Sequence, residues 1–306
     1  MGKIAFLFAG QGAQYPGMGK SLYDTNEAAK ALYDAAEALR PGTTAQSFSG
    51  TAEELKRTEN TQPCLYLVDL ASALALEAAG IHADGAAGFS LGEIAALSFA
   101  GFYSAEDGFR IVTERGRLMQ EASEAADTAM CAVVKLDAET VSAAAAEFEQ
   151  LYAVNFNCPG QTVVSGLASS MPAFTEKIKA LKGRCIPLAV SAAFHSPFMA
   201  EASVKFGEAL GAYTFSAGKI PVYANLTAKP YVPAETLDTM QQQMANPVRW
   251  QETIENMIAD GFTDFIEVGA GKTLSGLVKK ISADVRIFHV EDAETLAETI
   301  KAVTQA

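Results

Sequence analysis

The chain has 306 residues, of which 49% are hydrophobic and 19% charged, so it holds enough apolar material for one large or two smaller folded units and is not mainly disordered. Its 36 acidic and 23 basic residues give a formal net charge of −13. This balance excludes a general nucleic-acid binder and requires a local basic patch for any anionic partner.

The first part of the chain alternates between apolar runs and amphipathic stretches. The predicted elements are a strand at 4–9, a glycine-rich loop at 10–19, helices at 25–40 and 63–80, a strand at 86–89, and helices at 91–100 and 105–122. The uninterrupted apolar run of the first strand is typical of a strand that is covered on both faces. Strands that alternate with helices predict an α/β fold with a parallel sheet.

The middle of the chain has a different order, βαββαβ, which is typical of a ferredoxin-like unit. Its predicted elements are strands at 130–136, 151–156, 161–165 and 184–190 with helices at 138–150 and 169–182. We therefore predict a small inserted subdomain at 126–191, and a large subdomain formed by 1–125 and 192–306. The later elements of the large subdomain are strands at 220–225, 263–268 and 286–289 with helices at 236–244, 249–260 and 273–282.

Cysteine and histidine spacing predicts no metal or disulfide site. The four cysteines contain no CxxC pair and the three histidines form no HExxH pattern. The apolar run at 4–9 is short for a signal peptide, and the stretch 86–105 contains Glu93 and three glycines, which disfavours a membrane span. We expect a soluble, cytoplasmic monomer that binds neither nucleic acid nor membranes.

The stretch Gly-Phe-Ser-Leu-Gly at 88–92 fits the G-x-S-x-G pattern between a strand and a helix. In a nucleophile elbow the glycines allow a sharp turn that exposes the serine hydroxyl at a helix N-terminus. There the helix dipole and free backbone N–H groups favour developing negative charge. The pattern also occurs by chance in glycine-rich chains, but its context favours Ser90 as a nucleophile.

A nucleophilic serine needs a base, and His195 is the preferred candidate. It lies in a loop-like Ala-Phe-His-Ser-Pro context downstream of Ser90, the order found in α/β-hydrolase-like enzymes. The alternatives are a hydrogen-bonded core histidine without a catalytic role, or a base at His82 or His289.

The Gly-Gln-Gly stretch at 10–12 follows the first strand. A dinucleotide fingerprint needs Gly or Ala where Tyr15 stands, so that interpretation is disfavoured. Backbone N–H donors for an oxyanion hole suit the position better, and a simple tight turn is the structural alternative.

Arg115 is the one arginine of the helix predicted at 105–122 whose neighbours at three and four positions are all apolar. Arg110 and Arg117 have polar neighbours and are expected to face solvent. A buried guanidinium must be paired, either with a core carboxylate or with the carboxylate of a ligand.

These motifs together resemble the malonyl-CoA:acyl-carrier-protein transacylases, the acyltransferases of fatty-acid and polyketide synthesis, from end to end of the chain. The marks of the resemblance are FAGQG at 8–12, TQP at 61–63, GFSLGE at 88–93, RG at 115–116, NFN at 155–157, AFH at 193–195, NPV at 246–248 followed by Trp250, EVG at 267–269 and GK at 271–272. One departure is Phe89, where the family usually has histidine. This departure bears on acyl selection but not on the nucleophile.

The resemblance implies roles for individual residues. Ser90 would be acylated with His195 as its base, and the Gln11 and Leu91 backbone amides would form the oxyanion hole. Arg115 would hold the malonyl carboxylate, and a main-chain carbonyl at Gln243 would orient the histidine. The substrate pocket would contain Phe89, Phe194 and Asn157.

The resemblance further implies an α/β-hydrolase-like large subdomain with a ferredoxin-like small one, and ping-pong malonyl transfer from malonyl-CoA to acyl carrier protein. It implies no metal or redox cofactor, since CoA is a substrate. A serine thioesterase or esterase would use the same Ser90 and His195. Lys182 and Arg184 form part of a basic segment that we expect to dock the acidic carrier protein, the alternative being an ordinary solvated helix face.

Overall fold

The computed structural model describes residues 2–190 and 192–305, and its strands form two separate sheets. The strands are β1 (Lys3–Phe8), β2 (Gly85–Gly88), β3 (Thr128–Val134), β4 (Leu151–Cys158), β5 (Gln161–Leu167), β6 (Arg184–Pro187), β7 (Val222–Tyr223), β8 (Phe262–Val268) and β9 (Arg286–Val290). The α-helices are α1 (Lys20–Thr25), α2 (Glu27–Leu39), α3 (Thr43–Ser49), α4 (Ala52–Lys56), α5 (Thr58–Ala78), α6 (Leu91–Phe99), α7 (Ala105–Glu124), α8 (Ala138–Ala146), α9 (Met171–Ala180), α10 (Ala200–Leu210), α11 (Thr236–Gln243), α12 (Trp250–Ala259), α13 (Thr273–Ile281) and α14 (Ala293–Thr304). Within the two described ranges, every helix is too short or too polar to cross a bilayer.

The larger sheet is parallel and has the strand order β7-β2-β1-β8-β9. Its central strand β1 sends Phe6 and Phe8 into the main hydrophobic core. On the other face, Ala5 and Leu7 belong to a second core that contains Trp250. The prediction of a first strand buried on both faces is therefore confirmed.

The smaller sheet is antiparallel and has the order β4-β5-β3-β6. Numbered within the insertion, this order is second, third, first, fourth, which is the ferredoxin-like arrangement predicted from the βαββαβ pattern. Helices α8 and α9 cover one face through Val141, Phe174 and Ile178. The four strands lie between 128 and 187, inside the predicted 126–191 unit, whose limits stay a prediction; Ser191 lies outside the described residues.

Several predicted elements are wrong in extent, and the prediction omits α1, α3, α4, α10 and α14. Helices α3 and α4 have only seven and five residues, too few to show a helical repeat in the sequence. The strand predicted at 184–190 ends at Pro187, and the one at 220–225 shrinks to the two residues of β7. Helix α5 begins at Thr58 and carries Pro63 in its second turn, so the proline does not mark its start.

Two backbone hydrogen bonds join the small sheet to the rest of the molecule. The N–H of Phe156 donates to the carbonyl of Val248 at 2.9 Å, and the N–H of Val248 donates to the carbonyl of Val154 at 2.8 Å. We call this pair of bonds between β4 and Val248 the backbone clasp. It fixes the small sheet beside the segment that follows α11.

Candidate active site

The carboxyl ends of β1 and β2 lie side by side, and this places two loops together. Phe8 pairs with Gly88 in the parallel register, and the N–H of Phe89 donates to the carbonyl of Phe8 at 3.0 Å. The loop that contains Gln11 therefore lies next to the turn that contains Ser90. Ligands of open parallel sheets bind at this edge.

Ser90 occupies a strained turn between β2 and α6. Its φ of 55° lies in the left-handed region, which is unfavourable for a residue with a side chain. A Cβ on Gly88 would lie 2.0 Å from the Gly92 carbonyl carbon, and a Cβ on Gly92 would lie 2.3 Å from the Phe8 oxygen. Both glycines are needed for this close approach of helix to strand, as expected for a nucleophile elbow.

His195 lies on the reactive side of Ser90. Its Nε2 is 2.7 Å from Ser90 Oγ, and its Nδ1 lies 3.0 Å from the Gln243 carbonyl oxygen and 3.2 Å from that of Asn246. A proton on Nδ1 donates to these carbonyls, which leaves Nε2 to accept the serine proton. Burial, reinforced by the positive charge of Arg115, lowers the pKa of His195 to about 4. The ring is therefore neutral at pH 7.

His82 and His289, the alternative bases, lie elsewhere. The Nδ1 of His82 lies 2.8 Å from a carboxylate oxygen of Glu77 on the surface, and His289 lies in the sheet-edge strand β9. The geometry favours His195 as the partner of Ser90.

Arg115 is fully buried, as its helical neighbours predict. Its guanidinium donates to Gln62 Oε1 at 2.9 Å, to Gln243 Oε1 at 2.8 Å and to Ser90 Oγ at 3.2 Å. Among the described residues no carboxylate lies within 4.0 Å of it, so a direct ion pair with a core carboxylate is not observed. Burial lowers the pKa of Arg115 to about 10, which keeps it charged at pH 7.

Two adjacent cavities lie beside the elbow. A small chamber of about 90 Å³ is lined by Gln11, Phe89, Ser90, Met119, Met130, Asn155, Leu188, Val190, Phe194 and His195. A larger cavity of about 240 Å³ shares Gln11, Phe89, Asn155 and Leu188 with it. Asn157 lines only the larger cavity, so the predicted pocket residues divide between the two spaces.

Phe89, which stands where the family usually has histidine, lies between the cavities. Its ring packs edge to face on Trp250 with the ring centres 5.3 Å apart. The wall that it forms is therefore apolar. The side-chain oxygens of Asn155 and Asn157 are buried without a partner in the described part of the chain, and both residues line the larger cavity.

The backbone amides expected to form the oxyanion hole are free. In residues 2–190 and 192–305, the N–H groups of Gln11 and Leu91 make no hydrogen bond with the protein. The N–H of Ser90 itself donates to Asn225 Oδ1 at 2.8 Å. Ser90 N–H is therefore occupied, whereas the two predicted donors are available for a ligand.

Sequence reasoning missed several groups that hold the site together. Asn225 also donates to the Gly88 carbonyl at 2.7 Å, and the amide of Gln243 donates to the Ser90 carbonyl at 2.8 Å. Gln62 belongs to the TQP stretch and Asn246 to the NPV stretch, both of which mark the resemblance. The sequence therefore drew attention to these two residues but did not indicate what they contact. Asn225 lies just beyond the short strand β7, and nothing in its sequence context marks it.

The basic segment at 177–184, which spans the end of α9 and the start of β6, contains two cations without an ion-pair partner in the described chain. Lys177 pairs with Glu147 at 2.9 Å and Lys179 with Glu176 at 3.7 Å. In the described chain Lys182 and Arg184 have no carboxylate within 4.0 Å, and Arg184 begins β6 four residues before the cavity residue Leu188.

Relatives with similar sequences carry the name of one activity. A family model described as the acyl transferase domain matches residues 5–303. The malonyl CoA-acyl carrier protein transacylase of Bacillus subtilis is 40% identical over 100% of this chain and 98% of its own. The Synechocystis protein of the same name is 36% identical over 96% of this chain and 99% of its own.

Solved structures give the same result. The malonyl CoA-acyl carrier protein transacylase from Clostridium perfringens superposes with a TM-score of 0.95 at 35% identity, covering 99% of this chain and 98% of that one. A malonyl-transacylase in complex with a type II polyketide synthase acyl-carrier protein gives a TM-score of 0.94 at 32% identity, covering 98% and 99%. The family model and the full-length relatives show that this chain belongs to the acyl transferase family, among the malonyl-CoA:acyl-carrier-protein transacylases, and is an acyltransferase.

Proposed function

We propose that the protein transfers the malonyl group from malonyl-CoA to the phosphopantetheine thiol of an acyl carrier protein through a malonyl ester of Ser90. The observation that carries this proposal is the buried, charged Arg115 guanidinium at 3.2 Å from the hydroxyl that His195 contacts at 2.7 Å. A carboxylate on an acyl group attached to Ser90 would lie within reach of that cation, which suits malonyl and not a neutral acyl group.

The first half-reaction follows from the hydrogen bonds of Ser90. His195 Nε2 takes the hydroxyl proton as Ser90 Oγ bonds to the thioester carbonyl carbon. The backbone N–H groups of Gln11 and Leu91 stabilise the oxyanion of the tetrahedral intermediate. The carbon–sulfur bond then breaks, and CoA leaves as a thiol with the proton that His195 held.

The second half-reaction reverses these steps with a different thiol. His195 takes the proton of the phosphopantetheine thiol, and the sulfur bonds to the carbonyl carbon of the Ser90 ester. The bond from that carbon to Ser90 Oγ then breaks, and Oγ takes the proton from His195. The larger cavity supports this step, because the unpartnered oxygens of Asn155 and Asn157 can accept hydrogen bonds from the amide groups of a pantetheine arm. In both half-reactions the proton passes through His195.

Replacing Arg115 with alanine should shift the acyl preference from malonyl toward acetyl. Loss of a charge-assisted hydrogen bond costs about 1.5–3 kcal/mol, so malonyl transfer should fall roughly 10- to 150-fold relative to acetyl transfer. The measurement is kcat/KM for the two CoA esters. Arg117→Ala on the same helix, which removes only surface pairs with Glu114 and Glu121, is the control and should keep the wild-type ratio. An equal loss with both esters would make Arg115 a structural residue.

A serine thioesterase or esterase is the second candidate, because it would need the same Ser90 and His195 pair. The mainly apolar walls of the 90 Å³ chamber favour transfer over hydrolysis, since they offer few hydrogen-bond partners to a water molecule beside the ester. The distinguishing assay compares CoA release from malonyl-CoA with and without carrier protein that bears its phosphopantetheine arm. The first half-reaction itself releases one equivalent of CoA per enzyme without carrier protein. Continued release beyond that equivalent without carrier protein would identify a hydrolase.

Reversing the charge of Lys182 and Arg184 to glutamate should raise the KM for carrier protein. The chain has a net charge of −13, so an acidic partner needs these unpaired cations near the cavity. Acylation by malonyl-CoA should stay largely intact, and salt should weaken the wild-type interaction, because exposed charges are screened beyond about 10 Å at 0.1 M. Lys179→Glu, at a cation that already has a partner, is the control. Equal loss in both half-reactions would contradict a docking role.

A further inference from the structure

Arg115 has an unusual set of direct partners for a buried cation. The acceptors that contact it, Gln62, Gln243 and Ser90, are all uncharged. Its Nε has no hydrogen-bond partner in the described chain. An uncompensated buried charge is costly, so the empty site needs a negative group nearby. Glu93 is the carboxylate whose charge acts on this guanidinium.

Glu93 is fully buried in the first turn of α6, three residues after the nucleophile. Its Oε2 accepts from the N–H of Asn225 at 2.6 Å, and its Oε1 accepts from the hydroxyl of Tyr231. Asn225 Oδ1 lies 3.5 Å from Gln243 Nε2, and Gln243 Oε1 accepts from Arg115 at 2.8 Å. A chain of polar groups thus separates the carboxylate from the guanidinium.

Three titratable groups lie around this pair. Tyr231 donates a hydrogen bond to Glu93, Tyr103 interacts with both charges of the pair, and His195 interacts with the charge of Arg115. Burial raises the pKa of both tyrosines further above their usual range, so the phenols stay neutral. Burial raises the pKa of Glu93 to about 7, and burial lowers that of His195 to about 4. Glu93 is therefore the group of this cluster that changes charge near neutral pH.

We propose that Glu93 is the counter-ion of Arg115 in the empty enzyme and takes up a proton when the malonyl carboxylate reaches Arg115. This inference rests on the proposed function. The incoming malonyl carboxylate neutralises the charge of Arg115. An ionised Glu93 would then be a buried anion without a counter-ion. A proton from solvent on Glu93 Oε1 removes that charge. Tyr231 donates to the ionised carboxylate, whereas the protonated carboxyl donates to the phenol oxygen.

The linkage has a definite sign. The pKa of Glu93 is higher with malonyl bound than without, so malonyl loading is favoured at low pH and weakened as pH rises past about 7. An acetyl group carries no carboxylate and leaves Glu93 unaffected. Taking the ratio of the two CoA esters cancels the titration of CoA itself and of His195.

The first test measures the malonyl-to-acetyl ratio of kcat/KM for Ser90 acylation between about pH 6.5 and about pH 8.5. The wild-type ratio should fall about sixfold over this range, the change expected if malonyl raises the pKa of Glu93 from about 7 by about one unit. Glu93→Gln keeps an acceptor for Asn225 and can donate to Tyr231, so it mimics the protonated state and should give a flat ratio. Glu267→Gln is the control, at a buried carboxylate that accepts from the N–H groups of Leu274 and Ser275; it should keep the wild-type slope.

The second test does not depend on the folding of a Glu93 variant. Calorimetry of malonyl-CoA and acetyl-CoA binding to Ser90→Ala, in two buffers with different ionisation enthalpies, counts the protons taken up. Near pH 8, binding of malonyl-CoA should take up more protons than binding of acetyl-CoA, by about 0.4 of a proton for a pKa difference of about one unit. Equal proton uptake, or a pH-independent ratio in an active enzyme, overturns this inference alone. If neither ester acylates Ser90, the proposed function fails and this inference fails with it.

Discussion

Replacing Ser90 with alanine is expected to abolish the malonyl-enzyme and to lower malonyl transfer by about 10⁶-fold, the order seen when the nucleophile of a Ser–His enzyme is removed. The fold should survive, because the bonds that brace the turn use the backbone of Ser90. Its N–H donates to Asn225 and its carbonyl accepts from Gln243. Intact-protein mass spectrometry after incubation with malonyl-CoA detects the adduct, and circular dichroism monitors the fold.

Ser98→Ala is the matched control for this experiment. Ser98 lies on the same helix α6, is buried, and hydrogen-bonds Tyr66 at 2.8 Å instead of His195. This variant should be labelled by malonyl-CoA like the wild type. A stable malonyl adduct on the Ser90→Ala protein would place the nucleophile elsewhere.

Replacing His195 with alanine should slow acylation of Ser90 by about 10²–10⁴-fold, the usual contribution of a general base. The hydrogen bonds of His195 Nδ1 to two carbonyls fix its ring, and no other histidine contacts Ser90 in the described chain. Rapid-quench measurement of the acyl-enzyme gives the rate. His289→Ala should leave it within a small factor of wild type, and an unchanged rate in His195→Ala would remove His195 from the base role.

The low pKa of His195 allows a second test of its role as the general base. A base must be neutral, and this histidine has a pKa of about 4 instead of the usual 6.5. The rate of acylation by acetyl-CoA should therefore be maintained as pH falls from 7 toward about 5, and should be lost as pH passes through about 4. Acetyl-CoA is the substrate of choice because it has no carboxylate to interact with Arg115. A midpoint near 6.5 would show a solvated histidine.

Sequence reasoning predicted the two-sheet architecture because both sheets depend on strong local patterns. The apolar run of β1 and the βαββαβ order of 128–187 specify the strands, and topology rules then give the sheets. The short helices α3 and α4 carry no such pattern. The length of the two-residue strand β7 depends on where it pairs with β2. This pairing is a tertiary contact, which the β-propensity of the local sequence does not predict.

The candidate site divides in the same way. Ser90 and Arg115 could be selected from a motif and a helical face. The neutral partners of Arg115, the brace from Asn225 and the carboxylate of Glu93 depend on distant segments that meet only in the folded chain. Glu93 is separated by 132 positions from Asn225, the residue whose N–H it accepts. Nothing in local spacing predicts such a contact.

The backbone clasp at Val248 has a consequence for how substrates enter. The same segment supplies the Gln243 and Asn246 carbonyls that orient His195. A hinge movement that swung the small sheet outward would therefore break the clasp or pull on the support of the base. Access to the chamber is better achieved by local rearrangement of residues 188–190, which follow β6, while the two sheets keep their relative orientation. Of these residues, Leu188 lines both cavities and Val190 lines the chamber. The thioester substrate would then enter by a movement of residues 188–190 alone, while both sheets stay in place.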